Sequence, residues 1–160
     1  MTNSNPSSTK PLRLPKTAFY FTALFAFLGF ADAAYLTADH YLALPLPCTL
    51  THGCNTVLTS QYATIGPLPI ALLGALFYLA VLFLAVHLYT SDAQTIWPAR
   101  AICWLSGFGA VISCALIGLQ IFVIHAICMY CFFSDTLSVI LFVTSCVLLS
   151  QMSRSGNENG

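Results

Sequence analysis

Four of the seven cysteines in this chain fall into two pairs whose spacing suits sulfur redox chemistry. Cys128 and Cys131 form a Cys-Met-Tyr-Cys within the apolar stretch from Ala101 to Ser150, and Cys48 and Cys54 flank Thr-Leu-Thr-His-Gly. C-x-x-C spacing is a redox or metal signature. At the start of a helix, unpaired backbone N–H groups and the helix dipole favour a thiolate, and thiolate attack on a disulfide is how such pairs exchange. Three plainer readings compete with this one. The thiols could pack as small hydrophobes. His52, Cys54, Cys128 and Cys131 could form a tetrahedral zinc site. Cys48 and Cys54 could be a static staple. Redox is the reading carried forward, with no metal, and Cys103, Cys114 and Cys146 are read as core packing.

The elements that must position these thiols are membrane helices. The 160 residues are 58% hydrophobic and 6% charged, with mean hydropathy +0.84. A soluble globule carries about 25% charged residues. The apolar residues come in blocks of about 20, enough to cross a hydrocarbon core about 30 Å thick. Four spans are predicted, Thr17–Ala38, Pro67–Tyr89, Ala99–Ile124 and Ile127–Gln151. The last two form one apolar stretch, split because about 50 residues cannot cross once and because His125 and the cysteine pair mark a turnaround. The first span exceeds a signal-peptide core and lacks a convincing cleavage site. The expected fold is therefore an all-α integral membrane protein, a four-transmembrane-helix bundle with an outward-facing loop and short helix between helices 1 and 2. Its lipid bilayer is the first implied partner. A net charge of zero and no basic patch exclude nucleic acid.

Charge sets the orientation. Lys10, Arg13 and Lys16 precede span one, Arg100 lies between spans two and three, and Arg154 follows span four. With four spans all five fall on one side, which the positive-inside rule makes cytoplasmic. Both cysteine pairs then face a periplasm or lumen, where disulfides form and persist. Residues 1–16 read as a disordered cytoplasmic tail, 17–152 as the membrane domain and 153–160 as a second cytoplasmic tail.

Between Asp39 and Gly66, Pro45 and Pro47 keep the chain extended. Gly53 permits a bend before Cys54, and Asn55–Tyr62 suits a short helix placing Val57 and Leu58 on the bilayer surface or the bundle. Gly66-Pro67 and Pro69 suit the first turn of span two. Gly29, Gly74, Gly107, Gly109 and Gly118 let helices approach closely. Asp135 falls one turn after Cys131 on the same face of span four. A carboxylate inside the membrane is costly and marks a functional candidate. Here it suits handling protons for a quinone or contacting one, with a helix–helix hydrogen bond as the plainer role. Asp32, near the outer end of span one, is the weaker candidate.

Across residues 17–150 the chain resembles the vitamin K epoxide reductase family in its bacterial single-domain form. The resemblance rests on the outward loop pair Cys48 and Cys54, on Ser60 six residues later, and on Gly66-Pro67-Leu68-Pro69, close to a Gly-x-Pro that opens the second span. It rests also on Cys128 and Cys131 at the start of the fourth. DsbB-type quinone reductases order their cysteine pairs the other way. Many bacterial relatives carry a fused thioredoxin-like domain; this chain stops at Gly160 without one, so the resemblance implies a separate partner. Vertebrate members place a tyrosine where Asp135 stands, which makes a simple quinone the expected acceptor.

What the resemblance implies is an electron relay. A separate thioredoxin-like (DsbA-like) oxidoreductase is oxidised by Cys48/Cys54, which reduces Cys128–Cys131. Cys131 passes electrons to a membrane quinone such as ubiquinone or menaquinone, and Ser60 and Asp135 support quinone binding. The setting implied is a multi-pass protein of a bacterial inner membrane, its active cysteines facing the periplasm. Two alternatives remain open: a vitamin K quinone or epoxide reductase, and a thiol-based metal transporter.

Overall fold

The computed structural model describes residues 16–42, 53–90 and 96–157, with side chains through 154. Cys48, His52, Pro45, Pro47, Lys10 and Arg13 lie outside the described residues. Four helices are long and apolar enough to cross a membrane. They are α1 (Lys16–Leu42), α3 (Ile70–Thr90), α4 (Trp97–Gly118) and α5 (Met129–Asn157), and a short helix α2 (Gly53–Leu58) precedes α3. The expected four-helix membrane bundle is what forms.

The helices pack as a closed ring, α1 on α3, α3 on α4, α4 on α5 and α5 back on α1. Their shared core is largely small: Ala26, Ala33, Val81 and Ala85 are buried beside Ile102, Leu141 and Leu148. Small residues suit lipid, where helices associate through close packing rather than the hydrophobic effect. At Gly29 any Cβ would strike the ring of Tyr78, and at Gly109 it would come within 2.5 Å of Phe77. Gly118 meets nothing and serves no such contact. The outward faces carry Phe83, Trp104, Phe108, Val111 and Phe122, each at least 65% exposed, a surface suited to lipid and not to water. Several hydroxyls within the spans bond to the carbonyl one turn earlier, as hydrocarbon favours. Thr22 donates to the Ala18 carbonyl and Ser106 to that of Ile102.

Several boundaries differ from those expected. α1 continues to Leu42, so Asp32 sits about a turn deeper than expected from a span ending at Ala38. α5 continues to Asn157, so the membrane-domain helix extends past 152 into the stretch read as a tail. Gly66-Pro67-Leu68-Pro69 is not the first turn of the second span. Thr64–Ile65 (β1) pairs antiparallel with Leu68–Pro69 (β2), and the span starts at Ile70. Gly66 has φ +63, the positive φ that a two-residue type II′ hairpin needs at its first central position, and proline's fixed φ suits the second.

The short helix is Gly53–Leu58, not Asn55–Tyr62. Gly53 also has a different role from the expected bend. A Cβ on it would lie 2.6 Å from the Ile127 carbonyl oxygen and 2.9 Å from the Ile127 nitrogen. Glycine is required there because α2 rests directly on the backbone preceding Cys128.

Candidate active site

The end of the bundle that carries α2 and the hairpin is opposite the end where Lys16, Arg100 and Arg154 lie. There the helix α4 loosens into a π-helical turn, Leu119–Ile124, closed by His125 in the left-handed conformation (φ 54). Such π-turns are frequent at functional sites. Gln120 is the clamp of this turn. Its carbonyl accepts the Ala126 N–H at 3.1 Å, and its side-chain Oε1 accepts the Cys128 N–H at 2.9 Å. Gln120 is buried. It was not among the residues expected at the site; an amide five residues before His125 in an otherwise apolar span was the available signal.

Cys128 immediately precedes α5, and its sulfur accepts the Cys131 N–H at 3.3 Å, a capping position on the first turn. Hydrogen bonding from the Cys131 thiol, helped by the Cys131 and Tyr130 backbone N–H groups, lowers Cys128 below the ordinary cysteine value despite its burial. A lowered value means more thiolate, the attacking species in disulfide exchange. Cys128 and Cys131 are free thiols, whereas Cys54 is disulfide-bonded. The Cys48 half of the expected loop pair lies outside the described residues.

The two cysteines of the C-x-x-C face different neighbours. Cys128 is fully buried in one cluster with Cys54 and Val57. Val57 thus turns onto the bundle, one of its two expected positions. Cys131 lines an apolar cavity of about 460 Å³ between the helices, within the range of small-molecule sites. Ser60, Asp135 and Ser138 also line it, as do Leu58 and Gln120. Ser60 donates to the Val57 carbonyl at 2.7 Å, tying the residues after α2 to that helix.

Polar groups from all four spans meet beneath Cys131. Tyr78 of α3 donates to the Ser134 carbonyl at 2.6 Å. Asp32 of α1 has Ser134 beside it, and Asp135 has Ser113 of α4. Even so, Asp32 Oδ2, Asp135 Oδ2 and Ser138 Oγ are buried without a hydrogen-bond partner among the described residues. Buried polar atoms normally find partners. Two of these three are on residues that line the cavity, so a ligand with polar atoms in an apolar body fits it.

Among the described residues no group of three or more His, Cys, Asp or Glu could hold a metal ion; His52 lies outside them, and His125 is exposed at the turn. Cys114 is exposed rather than packed in the core, and Cys103 and Cys146 are half-buried and in contact with each other. Residues 20–146 match the model of the vitamin K epoxide reductase family.

Proposed function

Since the chain belongs to the vitamin K epoxide reductase family, an oxidoreductase family of the membrane, we propose that it passes electrons from a separate thioredoxin-like protein to a membrane quinone. The loop pair Cys48/Cys54 takes two electrons from the partner's dithiol, which becomes a disulfide. The reduced loop then reduces the Cys128–Cys131 disulfide by exchange, one S–S bond forming as another breaks. Finally Cys128 and Cys131 return to the disulfide as two electrons and two protons convert quinone to quinol. Secreted proteins gain disulfides because the partner is kept oxidised.

One observation carries this reading: Cys128 packs against Cys54 while Cys131, one turn on, lines the cavity. That division supports Cys128 as the sulfur that exchanges with the loop and Cys131 as the one that meets the quinone. The Cys54 disulfide beside two free thiols corresponds to the state before the quinone step. The cavity's polar atoms suit a quinone's two carbonyl oxygens, and Asp135 is the group able to hold or deliver a proton one turn from Cys131. Ser60, fastened to α2, lines this space and supports quinone binding there. With Lys16, Arg100 and Arg154 at the opposite end, the positive-inside rule supports a cytoplasmic location for that end and a periplasmic one for the thiols, in a bacterial inner membrane.

The test is quinone bleaching by purified protein supplied with a reduced thioredoxin-like partner. Replacing Cys131 by Ala abolishes bleaching while the loop pair Cys48/Cys54 still exchanges with the partner. Normal turnover by Cys131→Ala would remove the C-x-x-C from the quinone side.

A further inference from the structure

Two cysteines outside the site also meet. Cys103 of α4 and Cys146 of α5 bring their sulfurs to 3.1 Å, and both side chains are half-buried. The contact follows from helix register. α4 and α5 run antiparallel from the turn at 125–128, and Gly107 opens room for the Phe142 ring, to which a Cβ would approach within 3.1 Å. Cys103 lies four residues before Gly107 and Cys146 four after Phe142, so both thiols project from the same interhelical seam one turn further along. About 22 Å of helix rise separates Cys146 from Cys131. This pair is therefore remote from the outward thiols and lies toward the end of the bundle marked by Arg100 and Arg154.

The geometry points to a second redox site: an interhelical disulfide between Cys103 and Cys146, formed with a membrane quinone as oxidant. A disulfide needs its sulfurs at about 2.05 Å, so thiols already at 3.1 Å require only a side-chain adjustment. In the reaction each thiol gives up its hydrogen, one S–S bond forms, and the two electrons and two protons convert the quinone to quinol. The oxidant must be lipid-soluble because the seam lies within the spans, and Trp104 and Phe108, which follow Cys103 and Gly107 in α4, are largely exposed on a surface suited to lipid. The product joins α4 and α5 at both ends, by the 125–128 turn at one and by the new bond at the other. Core packing alone makes no such requirement, since two adjacent thiols pack equally well reduced.

The experiment uses the full chain with Cys131→Ala, which isolates the seam from quinone reduction at the outward site. The protein is reduced, freed of reductant, exposed anaerobically to a short-chain benzoquinone, acid-quenched, denatured, alkylated with a maleimide and mapped by mass spectrometry. The expected product is one peptide pair joining Cys103 to Cys146, with both residues alkylated in the unexposed control. Cys103→Ser abolishes the cross-link and leaves Cys146 alkylated. In the otherwise unaltered protein, Cys103→Ser leaves partner-driven quinone turnover within about twofold, because this residue lies outside the relay. Complete alkylation of both cysteines after quinone exposure overturns the proposal, as does linkage of either to Cys114 or to a second molecule. Failure of the relay itself would leave this cross-link unchanged, so the two readings fail separately.

Discussion

Gly53→Ala tests how the two redox pairs are held together. In the structure α2 begins at Gly53 and sits on the Ile127 backbone, with Cys54 and Cys128 buried side by side. An alanine Cβ would lie 2.6 Å from the Ile127 oxygen, about 0.8 Å short of ordinary contact at 3.4 Å. The obstacle is backbone on the tight turn clamped by Gln120, so α2 must move rather than the turn. Overpacking of this kind costs about 1–3 kcal/mol. A misplacement near 1 Å costs a reaction about 100-fold. Partner-driven quinone reduction should therefore fall about 10- to 100-fold, because Cys54 no longer aligns with Cys128. Turnover driven by a small dithiol that reaches Cys128–Cys131 directly should fall far less. Stopped-flow quinone absorbance with each reductant, alongside a melting curve, separates these effects. Equal loss with both reductants would refute the reasoning, as would unchanged partner-driven turnover.

Three further outcomes follow from the same geometry. Asp135→Asn should keep part of the quinone affinity, since an amide still donates a hydrogen bond, whereas Asp135→Leu should raise quinone KM sharply; a Leu variant that is folded and turns over normally would take Asp135 out of the site. Gln120→Leu removes the acceptor of the buried Cys128 N–H, an unmet donor worth about 1–3 kcal/mol, and should lower the melting temperature and partner-driven turnover together. Cys128 should keep its thiolate, read by ultraviolet absorbance, at pH values where an ordinary cysteine is already protonated, and lose it only as pH falls through the lowered value. In Cys131→Ala the side-chain donor to that thiolate is gone, so the titration should shift upward; an unmoved titration would assign the lowering to the helix N–H groups alone.

Much of this protein follows from local sequence properties. Hydrophobic length sets four spans because hydrocarbon thickness admits few alternatives. Cationic residues sort to one end for reasons that need no packing detail, and one helical turn puts Cys131 and Asp135 on the same face whatever surrounds them. The turnaround at His125 was readable because fifty apolar residues must fold back. Gly66-Pro67 was ambiguous: the pair suits both a helix start and a hairpin, and the choice depends on pairing between Thr64–Ile65 and Leu68–Pro69. Gly53 looked like a bend because a sequence shows a missing side chain but not the Ile127 backbone that requires it missing. Gln120 stood out in the sequence as an amide in an apolar span, but its role as a clamp depends on the π-turn that aims it at Cys128. The split between a loop-facing Cys128 and a cavity-facing Cys131, and the meeting of Cys103 with Cys146 across 43 residues, depend on helix rotation and register. Those are set by how small residues on neighbouring helices interlock, a property of all four spans together that no single stretch of sequence contains.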